Sequence, residues 1–180
     1  MSTLHVENLK GLTSGGNANK IIIPSGQTLD ASNGLTTPAG HVIQVQVGGS
    51  TAYTNTQSTS GVDAITCSIT PSATTSNVLV LLNLNGITVN STSQHMILEL
   101  NRDSTLIRRI SDVAGYSNSN VLYNTDIACT YLDDSVSTTS SVTYKLKMAT
   151  SNASTTVAFN NYATANNRTS SNITLMEIAG

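Results

Sequence analysis

Short runs of strict two-residue alternation, each cut off by turn-forming residues, constrain this chain more than any other feature. "SVTYKLKM" sets Val142, Tyr144, Leu146 and Met148 against Thr143, Lys145 and Lys147. "HVIQVQV" sets Ile43, Val45 and Val47 against Gln44 and Gln46. "AITCSIT" sets Ile65, Cys67 and Ile69 against Thr66, Ser68 and Thr70, and "HMILEL" sets Met96, Leu98 and Leu100 against His95 and Glu99. "TDIACTYL" groups Ile127, Cys129 and Tyr131. An extended chain points successive side chains to opposite faces, so this period specifies strands. No stretch longer than a turn or two carries the helical period. "NRDS" at residues 101–104 reads as the turn of a hairpin leading into "TLIRRI". "NVLVLLNLNG" is apolar on both faces from Val78 to Leu82, which marks a central strand or one covered by another subunit.

With "TVAFNNY" and "NITLMEIA", these runs make about eight strands, the number of a jelly roll or a related sandwich. An immunoglobulin-like sandwich is the alternative, but the chain has no Trp and no Cys-Trp-Cys spacing. Composition agrees. Charged residues are 10% of the chain, against roughly 25% in an ordinary soluble protein. Ser, Thr and Asn must therefore supply the polar surface, and they favour strands and turns over helices. Hydrophobic residues, at 38% of 180, suffice for a core.

Residues 1–40 differ from 41–180. "TLHVENLKGL", "KIIIPSG", "ASNG" and "TTPAG" break every apolar piece within a few residues, and Pro24 and Pro38 both fall here. Leu4, Val6, Leu9, Ile21, Ile22 and Ile23 cannot build a private core from such pieces. They are the candidate anchoring residues of an extended arm, awaiting surfaces that the arm does not supply.

Chemistry is sparsely marked. His5, His41 and His95 lie far apart and form no metal-ligand pair. Asp133 and Asp134, with Asp112 or Asp126, could offer oxygen ligands to calcium, but a solvated turn accounts for the pair and the EF-hand spacing is absent. No nucleophile elbow occurs, and the few acids give weak grounds for a glycosidase-type carboxylate pair. No cofactor motif occurs and none is expected. Net charge is −2, and "LIRRI" is the only paired-arginine stretch, which excludes a broad basic face for nucleic acid. No segment approaches the roughly 20 apolar residues of a membrane span. "MSTLHVENLK" lacks the apolar core of a signal peptide, so cytoplasmic synthesis is expected. Cys67 and Cys129 read as reduced thiols in strands. The Asn-x-Ser/Thr sites at Asn90, Asn152, Asn167 and Asn172 are explained by chance in so Asn- and Ser-rich a chain. Tyr131 and Tyr144 share faces with core residues. Tyr53, Tyr116, Tyr123 and Tyr162 lie near loops and are the candidate recognition residues, since loop tips and amphipathic rings suit ligand contact.

The opening "MSTLHVENLKG…GGNANKIIIPSGQTLD" resembles the start of small tail-fibre-like structural proteins of bacteriophages, especially marine cyanobacterial phages. "ITPSATTSNVLVLLNLNG", "YLDDSVSTTSSVTYKLKM" and "SSNITLMEIAG" are similar to recurrent segments of the same family's head domain. The resemblance covers most of the chain and brings no catalytic residue. It implies a virion protein, made in the host cytoplasm, that works as a homotrimer. The arm would anchor to other virion proteins of tail or capsid, and a C-terminal sandwich would form an outward knob; recognition of a host-surface glycan through the knob loops is a role open to such a knob. The chain is short for a long fibre, which leaves a short spike or a capsid decoration protein open. A free carbohydrate-binding module and a polysaccharide-depolymerising enzyme are the readings from other classes.

Overall fold

The computed structural model describes residues 13–16, 21–22, 25–26, 38–116, 125–161 and 169–180. The chain separates into two units, Met1–Thr36 and Thr37–Gly180. In the first, Ser25 and Gly26 form a turn with Gly26 at φ 81°, a conformation that glycine reaches without strain. Ser25 and Gly26 therefore turn as their composition predicts.

The second unit is all-β. Among the described residues it has ten strands and no helix: β1 Val42–Ser50, β2 Thr54–Thr56, β3 Val62–Ile69, β4 Asn77–Val89, β5 Met96–Arg102, β6 Thr105–Ala114, β7 Thr125–Asp133, β8 Val142–Thr150, β9 Val157–Phe159 and β10 Ser171–Ile178. About eight strands were expected. The strand not anticipated is β2, a three-residue strand with no alternation to betray it; β9 falls in "TVAFNNY" but spans only three residues. All pairings are antiparallel. One sheet runs β1-β10-β4, with β7 on the far side of β4 and the short β9-β2 pair continuing along it. The other runs β3-β8-β5-β6.

The two sheets share one core. Ile65, Cys67 and Ile69 of β3, Met96, Leu98 and Leu100 of β5, and Val142, Tyr144, Leu146 and Met148 of β8 are buried from one side. Val78, Val80, Leu82 and Leu84 of β4 and Ile173 and Leu175 of β10 meet them from the other. These are the rows that alternation predicts. β4 is central, bonded along both edges, which accounts for its two-sided apolar run. Its outward residues Leu79 and Leu81 are only half-buried.

β1 faces the opposite way from the other strands. Val45 and Val47 are 48% and 67% exposed, whereas Gln44 turns inward to bond Thr70 and Glu177. Gly48 explains part of this. A Cβ there would lie 2.2 Å from the backbone carbonyl of Thr66, so β1 crosses β3 too closely for a side chain on that face.

Candidate functional site

Strand register defines two ends of the sandwich. At the proximal end lie Val42, Ile178, Asn77 and Asp133 of one sheet. Ile69, Val142 and Arg102 of the other share that end, joined to it by the Arg102–Asp133 ion pair. The chain enters here: the Gly40 N–H donates to the Ala179 carbonyl at 2.7 Å, and the Ala179 N–H to that of His41 at 2.8 Å. At the distal end lie Ser50, Ser171, Val89 and Thr125, with Val62, Met96, Ala114 and Thr150. The two sheets touch there where Gly115 abuts the side chain of Val89.

The proximal end is held by two buried carboxylates. Asp133 is fully buried at the end of β7. Arg102 Nη1 donates to both its oxygens at 2.9 and 2.7 Å, the Tyr144 hydroxyl donates at 2.7 Å, and Ser135 adds its N–H and Oγ. One carboxylate thus ties β7 in one sheet to β5 and β8 in the other. Burial, then the hydrogen bond to Asp133, pushes the Tyr144 hydroxyl far above the ordinary phenol range, so it stays a donor. The solvated-turn reading of Asp133 is corrected here. The guanidinium of Arg102, the Tyr144 phenol and the N–H and hydroxyl of Ser135 donate to it. Asp112 pairs with Arg109, and Asp126 accepts from the Gly86 N–H, so neither joins Asp133. Among the described residues no group of three His, Cys, Asp or Glu is placed to hold a metal ion.

The second carboxylate, Glu177 of β10, is also fully buried. Its Oε1 accepts from the Ser72 N–H and Oγ and from Ser76 Oγ at 2.6–2.7 Å, and its Oε2 from Gln44 at 2.6 Å. These bonds pin the β3–β4 loop to the sheet. Burial pushes its pKa up, but the bonds from Ser72, Gln44 and Ser76 outweigh this and hold it below the usual value of 4.5. A carboxylate with a lowered folded pKa stabilises the fold above its unfolded pKa and loses that contribution as pH falls through the folded one. Unfolding free energy is therefore expected to decline as pH falls below the ordinary carboxylate value of 4.5. Glu177→Gln should cost about 2 kcal/mol at pH 7 and flatten that decline, measured by urea unfolding across pH.

The distal end carries the loops. Tyr53 sits in the β1–β2 connection, 38% exposed, and Tyr116 follows β6, 52% exposed. The structure thus brings both to one end, while Tyr123 and Tyr162 lie outside the described residues. Tyr144 is buried in the core, and Tyr131 packs against it beneath Arg108, 5.7 Å from guanidinium to ring centroid. Of the candidate anchoring residues, Ile21 and Ile22 are 52% and 55% exposed, and Leu4, Val6, Leu9 and Ile23 lie outside the described residues. His41 is at the proximal end and His95 at the distal end; His5 lies outside the described residues.

Asn160 is a residue that periodicity does not find. It is fully buried at φ 54°, a conformation Asn tolerates better than most residues. Its side-chain amide donates to the carbonyls of Ser50 and Ala52 at 2.8 and 3.1 Å, and its Oδ1 accepts from Ser171. It fixes the connection that presents Tyr53. The only trace in sequence is the turn-forming "NN" after "VAF". Asn90 bonds the 151–156 loop through its Oδ1, and Ser151 and His95 exchange two bonds, so the described distal loops are mutually tied.

Both cysteines are free. Burial pushes the Cys67 thiol up, which keeps it protonated and unreactive. Among the described residues no helix is long and apolar enough to cross a membrane. No protein-family model matches the chain, and no curated protein matches it.

Proposed function

We propose that this chain is a non-enzymatic structural protein of a phage virion. In this reading it is a homotrimeric short fibre or spike. Residues 1–40 anchor it to tail or capsid proteins, and residues 41–180 form a jelly-roll knob that projects toward a host-surface glycan. One observation carries the reading. The chain enters the sandwich at the proximal end, beside the C-terminal strand, and Tyr53 and Tyr116 are presented at the distal end. A knob that is held at one end and reads a surface with the other needs this polarity.

Strand order supports the jelly roll. Setting aside the short β2 and β9, one sheet reads β1-β10-β4-β7 and the other β3-β8-β5-β6. This is the arrangement of eight strands wound as two Greek keys, an architecture used by viral capsid and lectin domains. Fold alone does not assign function, so the polarity and the family resemblance of the sequence bear the rest.

Deletion of residues 1–40 tests the reading. The remaining knob should keep its β spectrum and unfold cooperatively, yet fail to join particles assembled in its presence. Incorporation at wild-type level would sink the anchoring role. Imaging of labelled full-length chain on particles then separates a tail fibre from a head decoration.

A further inference from the structure

One dipeptide of β4 combines chemical fragility with dense bonding. The sequence contains two Asn-Gly pairs: Asn33–Gly34, outside the described residues, and Asn85–Gly86. In an Asn-Gly pair the backbone nitrogen of Gly can attack the Asn side-chain amide, and Gly lacks the Cβ that crowds this attack elsewhere. Asn85–Gly86 sits where β4 changes partners. Up to Asn83 the strand pairs with β10 and from Thr88 with β9, while its register with β7 shifts between Leu84 and Ile87. Gly86 is required at this bulge. Its φ is 65°, and a Cβ there would lie 2.8 Å from Thr169 Oγ1 and 3.0 Å from the Asn161 backbone.

Every backbone N–H and carbonyl of the pair is bonded. The Asn85 N–H donates to Ser171 Oγ at 3.0 Å, and its carbonyl accepts from the Asn160 N–H at 2.8 Å. The Gly86 N–H donates to Asp126 Oδ1 at 2.9 Å, and its carbonyl accepts from the Asn161 N–H at 3.2 Å. The Asn85 side-chain amide donates to the Ser170 carbonyl. Ser170 borders β10 and Asp126 belongs to β7, and these strands flank β4 on opposite edges. The amide and the nitrogen that would attack it are therefore drawn apart. Asp126 adds an electrostatic barrier. The nitrogen must lose its proton to react, which would place a second negative charge beside a carboxylate.

We propose that Asn85–Gly86 is a latent self-modification site, closed while the distal end is intact and reactive once β9 and the Ser170–Ser171 segment release it. The chemistry needs only water. The Gly86 nitrogen gives its proton to solvent base and bonds to the Asn85 side-chain carbon. The bond from that carbon to Nδ2 breaks, and the nitrogen leaves as ammonia, taking a proton from water. Water then opens the cyclic imide at either carbonyl, giving Asp or its β-linked isomer at this position. Both products bar reclosure. The β-linked chain carries an extra methylene where the backbone bonds of β4, β9 and β10 meet. The Asp form aims a carboxylate at the Ser170 carbonyl where an amide donated, with Asp126 on the other flank. The loss reaches Tyr53. Asn160 holds the Asn85 carbonyl through its N–H and the carbonyls of Ser50 and Ala52 through its side chain. An opening of this end that outlasts the reaction becomes permanent.

Peptide mapping by mass spectrometry of the full chain, held at mildly alkaline pH, tests the proposal. Asn85 should convert roughly tenfold or more slowly in the native protein than in urea, and equal rates would overturn it. Phe159→Ala, which removes the buried ring of β9, should speed conversion several-fold more than Arg102→Ala at the proximal end. Equal acceleration would mean that only global unfolding exposes the pair, and would overturn the distal gate. Asp126→Ala should speed conversion several-fold with circular dichroism still native, and an unchanged rate would overturn the electrostatic barrier. Should these variants fail to fold, aged wild type decides. Its converted fraction gains a negative charge and separates by ion exchange. Amide protection in residues 54–56 and 157–159 should be lost in that fraction, and protection equal to that of unconverted protein would overturn the irreversible lock.

Discussion

Arg102→Ala is expected to destabilise the fold by about 3–5 kcal/mol, because it strips a buried carboxylate of the only cation paired with it among the described residues. Asp133 has no exposure, and the Arg102 side chain keeps only 21%. Tyr144 and Ser135 would still donate, but three neutral donors do not replace a guanidinium for an ion out of water. For a chain of this size the melting temperature should fall by roughly 10 °C. Asp133→Asn combined with Arg102→Met should recover at least half of the loss, since no uncompensated charge then remains. Tyr144→Phe should cost less, about 1–3 kcal/mol, for one buried hydrogen bond. A loss under about 1 kcal/mol for Arg102→Ala would mean that water reaches Asp133 and that the cross-sheet tie is weak. The contrast matters because Arg109 with Asp112 and Glu99, and Lys145 with Asp63, are solvent-facing. Their removal should change stability far less than the loss of Arg102.

These residues also show where reading the sequence stops. Alternation places Tyr144, Leu146 and Met148, or Leu98 and Leu100, on common faces, and those faces are the buried ones. The same alternation in β1 correctly groups Val45 with Val47 and says nothing of which side is inward. That choice depends on the carbonyl of Thr66 lying where a side chain of Gly48 would sit, a contact across 18 residues of sequence. Asp133 reads as a turn residue because its neighbours are polar. Its burial depends on Arg102, 31 residues before it, and Tyr144, 11 after it. Glu177 draws its donors from Ser72 and Ser76, 105 and 101 residues away. Local period is legible in a chain of strands, whereas partners brought together by sheet packing are not. The loop tyrosines lie between these cases. Tyr53 and Tyr116 could be assigned to connections from sequence, but their placement at one end follows from strand order alone.

Phe159→Ala is the second change expected to have a large effect, about 3–5 kcal/mol. Phe159 is the only Phe of the chain, has no exposure, and sits on β9, a strand of three residues. So short a strand holds little by its own ladder, and Thr54 of β2 is paired directly to it. With Val157 and the two-residue ladder to β4, the ring helps fix the β2-β9 pair to the core, and Asn160 holds the adjoining connection that carries Tyr53. Removing the ring leaves a cavity that the strands of β4 and β10 are too constrained to fill. The guanidinium midpoint should fall with an unchanged slope, since the native surface is the same. Phe159→Leu should lose less, about 1.5 kcal/mol. Amide exchange locates the effect. Protection in residues 54–56 and 157–159 should fall by more than protection in β5 and β8. A uniform fall across the unit would mean that the distal end is no separate element of stability, and that Tyr53 is held by the core as a whole.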